Sequence, residues 1–79
     1  MKIINLGFDN LVVAARIVTV TNAGAAPMKR LREQARKAER LVDATSGRRT
    51  RSIVVTDSGH VILSSVQAQT LMQRIEEAK

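Results

Sequence analysis

Arg51-Ser52-Ile53-Val54-Val55-Thr56-Asp57-Ser58-Gly59-His60-Val61-Ile62-Leu63-Ser64 carries the clearest structural signal in the chain. Two runs rich in β-branched residues, 51–56 and 60–64, flank Asp57-Ser58-Gly59. That spacing predicts a hairpin closed by a three-residue loop, with glycine in the left-handed position. Upstream, residues 16–21 (RIVTVT) alternate as a strand does, with Ile17, Thr19 and Thr21 on one face and Arg16, Val18 and Val20 on the other. Residues 2–6 and 41–44 read as shorter strands. Gly7-Phe8-Asp9-Asn10 is turn-like, and residues 11–15 fit either a continuing strand or a bend.

Two helices complete the pattern. Pro27, tolerated in a first turn, opens one that runs to about residue 39 or 40. Its apolar stripe is Met28, Leu31, Ala35 and Ala38. Lys29, Arg32, Arg36 and Arg40 line the adjacent stripe, and Glu33 is spaced to pair with Lys37. The second helix begins near residue 65, with Ala68, Leu71, Met72, Ile75 and Ala78 as its core stripe. Ser64, three residues before Gln67, gives it a capping-box signal. The expected architecture is a single α+β domain over residues 1–79, in the order β-β-α-β-β-β-α. Five short strands are expected to form one curved sheet with both helices on one face. Such a sheet has edges, which are natural places for subunits to pair.

Composition removes several functions. Cysteine is absent, so there is no disulfide framework, thiol chemistry or cysteine metal site. The apolar runs are too short to span a membrane. Residues 1–6 read as a strand rather than as the apolar core of a signal peptide, which points to a cytoplasmic protein. His60 is the single histidine and, with Asp57 alone, does not make a metal site. No glycine-rich phosphate loop, serine elbow or paired-carboxylate pattern occurs, so neither a cofactor nor an enzymatic activity is expected. A chain of 79 residues has a small core and commonly gains stability by self-association.

The charge is concentrated. The chain has 13 Lys and Arg against 7 Asp and Glu, a formal +6. Residues 29–51 contain Lys29, Arg30, Arg32, Arg36, Lys37, Arg40, Arg48, Arg49 and Arg51, opposed only by Glu33, Glu39 and Asp43. The remainder is neutral. Gly47-Arg48-Arg49-Thr50-Arg51 is the densest part, and Gly47 permits a tight turn that projects the guanidiniums. Clustered arginines repel unless an anion or acid intervenes. The readings are contact with nucleic-acid phosphates, a solvated turn, or arginines paired to Asp43 and Glu39 within or between subunits. The helical stripe, about 16 Å long, favours nucleic acid. Arg16, alone at a strand start, reads by itself as a structural ion pair. Phe8 is the only aromatic residue, so the stacking platforms of single-strand and RNA-recognition sheets are missing. Duplex DNA, held by charge and shape, fits better.

The sequence also resembles the RemA family, extracellular matrix regulatory protein A of Gram-positive bacteria and relatives. The resemblance covers nearly the whole chain. It rests on Ile4-Asn5-Leu6-Gly7-Phe8, Arg16-Ile17, Ala26-Pro27 with Lys29-Arg30, Val55-Thr56-Asp57-Ser58, and His60-Val61-Ile62-Leu63-Ser64. Its most specific part is Asp43-Ala44-Thr45 leading into Gly47-Arg48-Arg49-Thr50-Arg51. The resemblance implies a DNA-binding transcriptional regulator that activates biofilm-matrix and osmoprotection genes on the nucleoid. It implies a ring-shaped homo-oligomer, a heptamer or octamer, with double-stranded DNA along its outside. The family's DNA-linked arginines fall on Arg16, Arg48 and Arg49, and Pro27 matches a position that matters through structure. Ala15, Ser46 and Gly59 depart from the residues common in the family. The competing expectations are a scaffold or adaptor whose arginines hold subunits together, and a structured-RNA binder.

Overall fold

The computed structural model describes residues 1–78. Its elements are β1 (Ile3–Asn5), β2 (Leu11–Val13), β3 (Ile17–Asn22), α1 (Met28–Lys37), β4 (Leu41–Asp43), β5 (Ser52–Thr56), β6 (Val61–Ser64) and α2 (Ala68–Glu77). The chain is an α+β domain. The strands form two sheets: a two-stranded hairpin, β1–β2, and a four-stranded sheet in the order β3-β5-β6-β4. The expected single sheet is therefore split. The ambiguous segment 11–15 divides too: β2 ends at Val13, and a 3₁₀ turn over Ala14–Arg16 redirects the chain into the larger sheet.

The β5–β6 hairpin is central, as its sequence predicts, and Gly59 closes its loop at φ +83°. Its strands are buried on both faces, so they read as continuous apolar runs. Adjacent residues of β5 point to opposite faces and belong to different cores. Val54 packs with Ile4, Leu6 and Leu71; Ile53 packs with Ala35, Val61 and Leu63. The first cluster lies under α2 and the small hairpin, the second under α1. The two helices therefore cover opposite faces of the sheet, not one face as expected. A sheet with two apolar faces needs a layer on each, and burying a Leu or Ile side chain stabilises by about 1.5–3 kcal/mol.

Three local expectations fail for identifiable reasons. The register of β3 against β5 shifts between Ile17 and Thr19. This irregularity breaks the alternation: Ile17 and Val20 pack on the same core, while Val18 stays 65% exposed. Met72, assigned to the core stripe of α2, is 56% exposed, because Leu71 and Ile75 turn inward. Ser64 does not cap α2. Its hydroxyl donates to the Leu6 carbonyl at 2.7 Å and accepts the Val66 N–H at 3.1 Å, binding the small hairpin to the sheet.

Candidate nucleic-acid interface

The sheet has two ends of different character. At one end β3 and β6 stop, and four segments converge: the turn after β1, the loop after β3, the loop between β4 and β5, and the lead into α2. The backbone ties them together. Arg51 N–H donates to the Ser64 carbonyl at 2.8 Å, and Ala23 N–H donates to the Arg51 carbonyl at 3.1 Å. Arg48, Arg49 and Arg51 are all exposed here.

The loop that presents them is built from Asp43. Its carboxylate accepts the N–H of Thr45 at 2.9 Å and the Thr45 hydroxyl. These bonds, the hydroxyl's first, and the nearby Arg32 charge hold the Asp43 carboxyl below its ordinary range. Arg48 N–H then donates to the Thr45 carbonyl at 3.0 Å, closing the turn through Ser46 (φ +51°) and Gly47 (φ +79°). Asp43 is thus engaged with Thr45 rather than with an arginine. Two clefts flank the loop. One is lined by Phe8, Arg48, Arg49, Arg51 and Ser65; the other lies among Asn22–Gly24, Arg49–Arg51 and Gln67–Gln69. Neither has an acidic residue in its lining, and Arg48, Arg49 and Arg51 have no carboxylate partner among the described residues.

At the opposite end lies the Asp57–Gly59 loop. Arg16 sits there, its Nε donating to Asp57 Oδ1 at 2.7 Å. Asp57 is six residues beyond Arg51, or about 20 Å of extended chain. The ion-pair reading of Arg16 alone is what the geometry displays, yet the pair uses only Nε and leaves the terminal nitrogens of the fork available. Arg40 has also come to this end. Glu39 at φ +59° stops α1, and the Arg40 guanidinium donates to the Ser58 carbonyl at 2.6 Å. Arg40 therefore leaves the helical stripe on which its spacing placed it.

The basic residues of α1 are graded between the ends. Lys29 and Arg30 stand exposed in the first turn, following the loop that bonds to Arg51. Pro27 (φ −69°) precedes that turn, as expected. Arg32 is half-buried, and Arg36 lies 3.7 Å from Glu33, which takes this partner instead of Lys37. The structure thus brings Arg48, Arg49, Arg51, Lys29 and Arg30 to one end, and separates them from Arg16. Sequence reasoning missed Phe8. Its ring lies 5.7 Å from the Arg48 guanidinium carbon, a contact between residues forty apart that no local pattern signals. No helix among the described residues is long and apolar enough to cross a membrane.

This small α+β domain presents, at one end of its sheet, an open arginine-lined surface whose two clefts have no acidic residue in their lining. Comparison with known proteins agrees with the resemblance in the sequence. The model of the RemA-like family, extracellular matrix regulatory protein A-like, matches residues 3–75. A provisionally named regulatory protein of Nitratidesulfovibrio vulgaris is 62% identical over 73 residues, covering 92% of this chain and 83% of its own. One from Geobacillus thermodenitrificans, with the same provisional name, is 55% identical over 75 residues, covering 95% and 86%. The chain belongs to the RemA-like family of regulatory proteins.

Proposed function

We propose that the protein is a transcriptional regulator that binds double-stranded DNA through the arginine end of its sheet and acts as a ring-shaped homo-oligomer. The observation that carries this is the convergence of Arg48, Arg49 and Arg51 on clefts with no acidic residue in their lining. Guanidiniums held together without counter-charges favour an external polyanion, and their planar forks suit phosphate oxygens. Lys29 and Arg30 extend the positive surface along the first turn of α1, with Arg32 and Arg36 further on. Gly47 supplies the left-handed turn that presents the arginines.

Self-association is supported by what the two sheet edges expose. Val18 on edge strand β3 is exposed beside Met72 of α2, and Val42 on the other edge strand, β4, is exposed in a groove shared with Leu11 of β2 that runs across the sheet to Arg16. Unlike patches on opposite edges favour head-to-tail contact, which closes into a ring when the rotation permits. A ring repeats a weak arginine site, so DNA touching several copies gains avidity. Specificity then rests on spacing and DNA deformability as well as base edges. The family resemblance extends this reading to matrix and osmoprotection genes on the cytoplasmic nucleoid.

The test is a gel shift of duplex DNA with Arg48→Ala/Arg49→Ala, paired with light scattering. Lost binding with an unchanged assembly supports the proposal. Normal binding moves the site elsewhere, and a broken assembly makes the arginines structural. Tighter binding to duplex RNA than to DNA makes the protein an RNA binder. A salt series provides a second check, since phosphate contacts give a log–log slope of about −0.9 per contact.

A further inference from the structure

Phe8 occupies a position that its packing does not explain. It is 50% exposed, so half of its accessible surface is not buried in a core. Its backbone lies at φ +51° between Gly7 at +104° and Asp9 at +62°. A bulky residue in the left-handed region is an outlier, and such strain persists only where the surroundings over-determine it, typically at functional sites. The surroundings do so here. Asn5 Oδ1 accepts the Gly7 N–H at 2.7 Å, and Asn10 Nδ2 donates to the Gly7 carbonyl at 2.9 Å. The same Asn10 amide donates to the Ala44 carbonyl at 3.4 Å, fastening the turn to the start of the arginine loop. The turn thereby holds the ring against Arg48 and in the lining of the cleft shared with Arg49 and Arg51.

We propose that Phe8 is a positioning residue of the DNA site, holding the Arg48 guanidinium on its ring so that the fork faces the nucleic acid in one orientation. This rests on the DNA-binding reading above. Arg48 has no carboxylate to orient it among the described residues, and an arginine on a glycine turn otherwise samples many rotamers. A ring face restricts the plane of the guanidinium without neutralising it, unlike an acid, and leaves its edge N–H groups free to donate. The site therefore keeps its full charge while losing less freedom on binding.

The experiment is a double-mutant cycle on the affinity for a labelled duplex, using the full chain, Phe8→Leu, Arg48→Ala and the pair. Phe8→Leu keeps an apolar side chain but removes the ring. It is expected to weaken binding about two- to fivefold with Arg48 present and to change nothing in the Arg48→Ala background. Phe8→Tyr and Phe8→Trp are expected to retain wild-type affinity, which a general loss of folding in Phe8→Leu would not mimic in reverse. An equal loss in both backgrounds, or no loss, overturns the proposal. A second readout needs no DNA: the only other aromatic ring, the His60 imidazole, lies at the hairpin end of the sheet, so a ring-current displacement of the Arg48 side-chain protons in NMR reports this stack. Its absence in the wild type also overturns the proposal, whereas its presence in a protein that fails to bind duplex DNA overturns the DNA reading instead.

Discussion

The two ends of the four-stranded sheet hold arginines in opposite ways. At the hairpin end Arg16 is paired with Asp57, and Arg40 is bonded to the Ser58 carbonyl. At the other end Arg48, Arg49 and Arg51 have no acidic partner among the described residues, and the nearby Asp43 is occupied by Thr45. One chain thus satisfies some guanidiniums internally and withholds partners from others. The contrast teaches that position in the charge-dense segment does not assign a role. Arg40 and Arg48 belong to the same segment, yet one braces a turn while the other has no carboxylate partner among the described residues.

The contrast breaks most directly by deletion. Arg49→Ala is expected to weaken duplex binding about tenfold, within the roughly 1–3 kcal/mol range of a DNA-contacting arginine, and to lower the salt slope by about one. Arg40→Ala should leave both unchanged. Fluorescence anisotropy over a salt series measures the two together, and equal losses would erase the distinction between the ends. The edges come next. Val18→Asp is expected to shift the assembly toward smaller species in light scattering, with the monomer fold retained in circular dichroism, because Val18 is 65% exposed. An unchanged assembly would remove β3 from the contact. A smaller effect concerns the hairpin end alone. A Cβ on Gly59 would lie 2.7 Å from the Arg40 guanidinium, a flexible group that can move, but φ +83° is a backbone conformation that side chains rarely adopt. Gly59→Ala should therefore lower stability by about 1 kcal/mol in urea titration, with no change in DNA affinity.

Much of this architecture is legible because it is local. Residues 51–64 announce a hairpin through β-branched runs and a glycine turn, and Pro27 with its apolar stripe announces α1. The charge block is visible by counting. What is not legible depends on partners distant in sequence. The irregularity in β3 exists because β5 fixes a register on either side of Val18, so alternation alone points Val18 the wrong way. Ser64 has two candidate roles, and the Leu6 carbonyl, 58 residues away, selects one of them. Glu39 carries no local stop signal, yet its left-handed backbone ends α1 and releases Arg40 to the hairpin. The arginine end is similar: Arg48-Arg49 is obvious in the sequence, but the aromatic beside it arrives from a separate turn.

The weakest expected effect isolates how the arginine end is built. Asp43 has a carboxyl pKa below its ordinary value because the folded state offers it the Thr45 hydroxyl and N–H, with Arg32 nearby. A carboxyl depressed on folding contributes stability that is present above its unfolded pKa and is lost as the pH falls through the folded one. The contribution should therefore be complete at neutral pH and decline in the acid range, starting near pH 4 and continuing below it. Asp43→Asn is expected to flatten that part of the stability profile, measured by urea titration from pH 7 to pH 3. Because Thr45 also accepts the Arg48 N–H, loosening this turn should reduce DNA affinity slightly even at neutral pH. The hairpin end has no equivalent link, so Asp57→Asn should leave the neutral-pH geometry of the arginine loop as it was. If Asp43→Asn changes neither the acid limb nor the affinity, the Thr45 turn is held by its backbone alone, and the arginine end owes its shape to Gly47 rather than to Asp43.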